Sequence, residues 1–332
     1  MMERREYEFV LRAVEPIAHA SESFGNSSIF MRRRQRQADG SFLEIPIITA
    51  DTMRHGMREA ATYVLLDAAG MLERGELTEA ALRLLFAGGM VTGNGDAATV
   101  RLDQYREMVE LLPHMALFGG CAGNRVIPGR LTVSDATLIC DETIHLLPGW
   151  VGDWLASEKV TTATHRSHVE EVQRVRMDPS LTPEKRHLLS DGARAVTEQR
   201  LLASEAAGES ADAAGVERSK SSMMPRRMET LVAGSLLFWR VGANCYSPLD
   251  VDTFHTAIAA FLASARVGGK RGTGHGLVVP VTARSIGVAS PSRNLTALVD
   301  PSKPGVDVGA IFRAHVAERS NRVAAFLAKV DA

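Results

Sequence analysis

Two hydrophobic periods alternate along the chain. In the run YEFVLRAVEPI, Tyr7, Phe9, Leu11 and Ala13 share one side, and Glu8, Val10, Arg12 and Val14 the other. Successive strand side chains project to opposite faces, so this spacing predicts a half-buried strand that ends near Pro16. The stretch AHASESFGNSSIFMRRRQRQADG is expected to be a long loop. SFLEIPIITADTM then leads into a helix that Thr49 or Asp51 can cap by accepting a hydrogen bond from an early backbone N–H. Met53, Met57, Ala61, Val64, Ala68 and Met71 recur at helical spacing and form the buried stripe. Arg54, Arg58 and Thr62 make a second stripe, with the first arginines at the mouth of the helix beside the loop.

Further helices are predicted over TEAALRLLFAGG, stopped by Gly88-Gly89, and over LDQYREMVELLPHMALF, bent at Pro113. LTPEKRHLLSDGARAVTEQRLLASEAA opens with Thr182 as cap and Pro183 at the first helical position. DVDTFHTAIAAFLASARVGG reads as a helix closed by its glycine pair, and VGAIFRAHVAERSNRVAAFLAKV as a last helix. GRLTVSDATLIC and HGLVVPVTA read as strands, and RMETLVAGSLLFWRVGANC as one strand, or two broken at Gly234. AAGESADAAGVERSKSS is low in complexity and is expected to be a linker or loop tip. Strands and helices mix without regular βα alternation. That points to an α+β fold with an antiparallel sheet and insertions.

Charge changes the picture locally rather than globally. The 332 residues carry a net charge of −1, so a protein basic throughout is excluded and any anion binding must come from patches. Three such patches are present. RRRQRQADG puts Arg32, Arg33, Arg34 and Arg36 into five positions, ERSKSSMMPRR carries Arg218, Lys220, Arg226 and Arg227, and RVGGKRGTGHG carries Arg266, Lys270, Arg271 and His275. Guanidinium forks on loops suit phosphate, and alternating glycines let a backbone approach a ligand closely. A solvated loop and a flexible hairpin are the alternative readings. GGKRGTGHG is no nucleotide-hydrolase phosphate loop, because no Lys-Ser or Lys-Thr follows its glycines.

Candidate catalytic groups are few. His165 and His168 could share a helical face, but no third metal ligand follows at a sensible spacing, so two surface histidines are expected. Asp250 and Asp252 read as helix caps, VTGNGD as a turn, and Cys121 lies in a glycine-rich turn with no assignable partner. The cysteines, Cys121, Cys140 and Cys245, form neither a disulfide framework nor a zinc knuckle; reduced thiols and a cytoplasmic location are expected. Met1 to Glu8 is too charged for a secretory leader, and no apolar run approaches the roughly 18 residues that span a bilayer.

Four segments in order, IPIITADTMRHGMRE, ALFGGCAGNRVIPGRLTVSDATL, MMPRRMETLVAGSLLFWRV and GGKRGTGHGLVV, resemble the RAMP proteins of CRISPR systems. Within that superfamily the chain looks most like the repeated backbone subunit, the "seven" type, in its type IV version. The resemblance implies an RRM-like (ferredoxin-like) palm with finger and thumb insertions. Residues 1–150 would hold the first part of the palm and the finger, 151–222 the thumb, and 223–332 the rest of the palm with the glycine-rich loop. It implies copies in a helical filament along a guide RNA (crRNA) that is displayed for pairing with a target nucleic acid, alongside other effector subunits. Ser23, Asn26, Ser27 and Arg32 to Arg36 would line the RNA site. Arg54, His55 and Arg58 would join from the helix start, Lys220, Arg226 and Arg227 from the second basic segment, and Lys270, Arg271 and His275 from the glycine-rich loop. Family members that cut target RNA carry an acid in the loop after the first strand. Here Glu22 is the sole early acid and Asp39 comes only at the far turn. A binder without cofactor or metal is therefore expected. A metal-dependent ribonuclease using Glu22 or Asp39, and a nucleotide-binding enzyme using the glycine-rich loop, remain as alternatives.

Overall fold

The computed structural model describes residues 2–24, 26–73, 75–89, 102–122, 125–176, 189–199, 202, 224–286 and 308–330. The chain forms two compact units. Met1–His19, Met31–Val169 and Leu231–Ala332 make the first; Ala20–Phe30 and Glu170–Thr230 make the second. Residues 151–169, expected in the insertion, lie in the first unit, and Ala20–Phe30, expected in the first part of the palm, lie in the second.

Strand β1 (Glu3–Ala13) is followed by β2 (Ala20–Phe24), β3 (Ser27–Phe30), β4 (Arg32–Arg36) and β5 (Phe42–Ile48). The expected long loop is therefore largely strand, and its arginines sit on β4. Asp39 and Gly40 turn β4 back onto β5, with Gly40 at φ 86°. Helix α1 (Ala50–Ala68) starts at Thr49, whose side chain accepts from Thr52 N. Helix α2 (Glu79–Leu82) widens into a π turn over Arg83–Ala87 and stops where Gly88 and Gly89 turn left-handed. Helices α3 (Leu102–Leu111) and α4 (Pro113–Phe118) are separated at Leu112 because Pro113 offers no N–H to continue the ladder.

The hairpin β6 (Gly120–Ala122) and β7 (Arg125–Ile127) precedes β8 (Leu131–Val133) and β9 (Ala136–Leu138). The single strand expected over GRLTVSDATLIC is thus two short ones, interrupted at Ser134 and Asp135. Helix α5 (Gly149–Ser157), strand β10 (Val169–Arg176), a helical stretch α6 at 191–199, β11 (Met224–Leu231) and β12 (Leu236–Cys245) follow, the last two separated at Gly234 with φ 90°. Helix α7 (Pro248–Ala263) ends at Ser264, before the glycine pair expected to close it. Strand β13 (Val278–Ile286) and helices α8 (Ala310–Glu318) and α9 (Ser320–Ala328) complete the order, the last expected helix being broken at Arg319. The expected cap at Thr182 and Pro183, the turn VTGNGD and the low-complexity stretch around 205–222 lie outside the described residues.

The first unit is built on a sheet of order β13-β1-β12-β9-β5-β4, with β8 also paired to β12 and the printed pairings antiparallel. On one face of β1, Tyr7 stacks on Phe254 at 5.9 Å, and Phe9 meets Trp239 at 5.4 Å, which meets Phe261 edge-on at 5.8 Å. The other face was expected in solvent. Instead Val10 packs with Ile139, Phe238 and the α5 residues Val151 and Leu155. Glu8 is buried there because Trp150 Nε1 donates to it at 2.6 Å and Arg240 pairs with it. Helix α1 crosses α7 at Gly56, where a Cβ would stand 2.6 Å from the Phe261 ring. The second unit's sheet runs β10-β11-β3-β2, with β11 parallel to β3. Among the described residues no helix is long and apolar enough to cross a membrane.

Two imidazoles are locked in the first unit. His114 lies within 3.5 Å of the Thr62 hydroxyl, and His255 within 2.7 Å of the Tyr7 hydroxyl. Burial, and then the charges of Arg58 and Arg5 respectively, push their pKa values down to about 3 and about 4. Below the ordinary 6.5, the unfolded chain takes up protons that the folded one refuses. Stability should therefore be fully present above pH 6.5 and fall as pH drops from there toward 4, by up to about 1.4 kcal/mol per pH unit for each group. His255→Gln, which can still bond Tyr7, should flatten that slope in denaturant titrations at stepped pH. An unchanged slope would refute the assignment for His255.

Candidate nucleic-acid interface

The segment Pro16–His19 gathers three of the expected site segments within the first unit. Gly269 N donates to Ala18 O at 2.6 Å and Gly276 N to Pro16 O at 2.9 Å, which fixes both ends of the glycine-rich loop. Met31 N donates to His19 O at 2.7 Å just before β4 begins, and Thr49 N approaches His19 Nε2 at 3.3 Å at the start of α1. The arginine strand, the helix mouth and the glycine-rich loop therefore adjoin one backbone stretch.

Strand register sorts the arginines. Arg32, Arg34 and Arg36 lie opposite Pro46, Glu44 and Phe42 on one face of the β4–β5 hairpin. Arg33 lies opposite Ile45 on the other face, and its Nε and Nη2 reach Asp135 Oδ2 at 3.1 and 3.0 Å. Arg33, Arg34 and Arg36 are all exposed, Arg32 half-buried. Asp135 is a residue that sequence reasoning passed over. Its other oxygen accepts from Ala50 N at 2.8 Å, so one carboxylate holds both the α1 N-terminus and Arg33. The neighbouring Ser134 hydroxyl accepts from Arg240 N at 2.9 Å, tying the same turn to β12.

Two arginines expected at RNA are engaged by backbone carbonyls. Arg54 Nη2 donates to Phe118 O at 2.5 Å and its Nη1 to Leu131 O at 3.3 Å. Arg58, buried, donates to Phe118 O at 2.9 Å and Gly119 O at 3.2 Å. Burial, then the charge of Arg54, lowers Arg58 to about 10, so it stays charged at neutral pH. Gly119, at φ 69°, ends α4 beside these carbonyls, and the two guanidiniums converge on the Phe118 O that precedes it. His55, between them in sequence, is exposed.

The glycine-rich loop is likewise divided. His275, expected at RNA, is buried, with Nδ1 2.9 Å from Thr273 O. Arg271 pairs with Glu59 at 3.1 Å and also donates to Gly268 O, and Arg266 pairs with Glu15. Lys270 is exposed and sits at φ 60°, a left-handed conformation that an L residue with a side chain adopts at a cost. Its ammonium has no partner among the described residues. In the second unit, Ser23 Oγ and Ser28 Oγ are 3.0 Å apart, Asn26 O accepts from Arg227 N at 2.9 Å, and Ser27 lies opposite Arg227. Arg227 pairs with Glu171 at 3.6 Å, while Arg226 is exposed. Lys220 lies outside the described residues.

The candidate catalytic groups have their own partners. Glu22 is exposed on β2. Asp39 accepts from the Ser41 hydroxyl at 2.6 Å and Ser41 N at 2.9 Å, which lowers its pKa. His165 meets Glu142 at 2.8 Å while His168 meets Ser235 at 3.0 Å, so the two rings answer to different partners. Asp250 takes Arg130 in a two-pronged pair at 2.7 and 3.0 Å, and Asp252 accepts from Gly309 N and Phe312 N, capping α8 rather than its own helix. Among the described residues no three or more His, Cys, Asp or Glu side chains come together as a metal site.

The glycines of the loop differ in a testable way. Gly268 and Gly276 have φ 75° and 93°, and a Cβ on either would stand 2.3 Å from a carbonyl oxygen, of Ala18 and Val267 respectively. Gly272 faces open space. Gly276→Ala is expected to destabilise the protein by at least about 1 kcal/mol, whereas Gly272→Ala leaves the unfolding midpoint in place. Equal midpoints for the two variants would contradict this division.

No protein-family model matches the chain, and no curated protein matches it. Among solved structures, Thermofilum pendens Csc2 is similar at 12% identity, covering 98% of this chain and 81% of that one, with a TM-score of 0.39. A chain described as a Type IV-B CRISPR Complex is similar at 19% identity, covering 93% of this chain and 98% of that one, with a TM-score of 0.52. Nearly end to end, this chain has the fold of a chain of a Type IV-B CRISPR complex.

Proposed function

We propose that the protein is a non-catalytic backbone subunit of a CRISPR effector complex, which binds guide RNA and repeats along it so that the bases are displayed for pairing. The near end-to-end likeness to a chain of a Type IV-B CRISPR complex carries this reading. The architecture supports an RRM-like palm. Strands β13, β1, β12 and β9 lie in that order, with a helix after the first strand, α1, and one after the third, α7. That is the order of a ferredoxin-like sheet. The face of such a sheet often stacks bases, but here Tyr7, Phe9, Phe238 and Trp239 are all buried. RNA contact then falls to exposed basic side chains outside that face: Arg34 and Arg36 on β4, His55 on α1 and Lys270 in the glycine-rich loop, and, within the second unit, Arg226. The unit containing Glu170–Thr230 is the thumb of this reading.

Phosphate contact has a direct signature. Each contact to a single strand contributes about −0.7 to the slope of log K against log salt. Replacing Arg34 and Arg36 with Ala is expected to flatten the slope by at least about 0.7, the share of one phosphate contact, and to weaken binding for every RNA sequence alike. Arg33→Ala, whose guanidinium is held by Asp135, should change it little. A wild-type slope in the double variant would remove the arginine strand from the interface.

Repetition along RNA makes a second prediction. Neighbours that share a strand raise one another's local concentration, so occupancy becomes cooperative. Light scattering with guide RNAs of increasing length should show mass rising in whole-subunit steps, and target RNA should stay intact with Mg²⁺ or Mn²⁺. A fixed dimer at every length would refute the filament. Cleavage abolished by Glu22→Gln or Asp39→Asn would replace the binder with a ribonuclease.

A further inference from the structure

The β4–β5 hairpin carries one large apolar side chain on its solvent face. Register places Arg36 directly opposite Phe42 and Arg34 opposite Glu44, so these four share a side. The reverse side holds Arg33, Gln35, Leu43 and Ile45, and Ile45 is fully buried. Phe42 is therefore turned away from the core, and it is 51% exposed. The Arg34 guanidinium lies 4.1 Å from its ring centroid. An exposed ring contributes nothing to solubility, and an arginine strand needs no phenyl group to bind phosphate.

A second ring under a guanidinium shows what is particular here. Arg130 lies 5.1 Å from the exposed Tyr246 ring, but Asp250 grips Arg130 from two sides and offsets its charge. Arg34 and Arg36 have no ion pair among the described residues. An aromatic face beside uncompensated guanidiniums is the chemistry that single-stranded nucleic acids use: bases stack on the ring while cations take the adjoining phosphates.

We propose that Phe42, with Arg34 stacked on it, is a platform for an unpaired nucleobase of single-stranded RNA, and that Arg36 takes a phosphate next to that base; this rests on the RNA-binding reading above. Glu44 stands on the same face opposite Arg34 and repels phosphate there, which leaves the position near Arg36 for the backbone. Base and phosphate are thus assigned to different side chains, and the two contributions separate by their salt dependence.

The test titrates the full-length protein with a single-stranded RNA that carries 2-aminopurine. Wild type should bind with a change in 2-aminopurine fluorescence, and duplex RNA of the same sequence, whose bases are already stacked, should give none. Phe42→Leu keeps an apolar group on the hairpin but has no π face. It is expected to bind about 5- to 150-fold more weakly, with the salt slope unchanged and the fluorescence change lost. Phe42→Tyr should restore both. Arg36→Ala should flatten the slope by about 0.7 and keep the fluorescence change. Wild-type affinity and signal in Phe42→Leu at an unaltered melting temperature would overturn the platform alone. A wild-type protein that binds no single-stranded RNA would overturn the RNA-binding reading, and the platform with it.

Discussion

The carboxylate of Asp135 is the constraint from which the exposed chemistry of the first unit is set. One oxygen accepts the first backbone N–H of α1, where the helix dipole favours negative charge, and the other accepts Arg33. Arg33 is held by Asp135 on one face of β4, and strand alternation puts Arg34 and Arg36 on the other face with Phe42. Ser134 beside it joins the same turn to β12 in the middle of the sheet. A helix start, a central strand and an edge strand therefore share one anchor of two residues.

The same logic governs α1. Its sequence places Arg54 and Arg58 on one stripe near the expected binding loop, and on sequence alone they read as RNA contacts. The structure gives them Phe118 O, Gly119 O and Leu131 O. Their guanidiniums hold the end of α4 and the start of β8 through backbone carbonyls. The basic residues left exposed in this unit include His55, Lys270, Arg34 and Arg36.

The regular elements were legible where burial enforces a period. β1, α1, α3, the break at Pro113 and the strand pair around Gly234 all follow from spacing, proline and glycine. β4 was not legible, because one of its faces carries Arg32, Arg34 and Arg36 and the other Arg33 and Gln35, so no apolar alternation marks it. The burial of β1 on both faces from Tyr7 to Leu11 was hidden for another reason: Glu8 reads as a solvent position, and Trp150 and Arg240, far along the chain, make its burial tolerable. Among the site residues, the basic character of three segments was plain from composition. Which cations are already engaged was not, since Asp135, Phe118 O and Glu59 lie 64 or more residues from Arg33, Arg54 and Arg271 respectively.

The position of β4 at the end of the sheet order has a consequence for association. An open strand edge offers unpaired N–H and C=O groups to any other extended chain, including a second copy. Antiparallel pairing of two β4 strands centred on Arg34 would bring arginine opposite arginine at three of five positions, and like charges directly opposite destabilise a strand pair. The strand thus guards against self-templated sheet growth while leaving its edge open to an extended acidic segment.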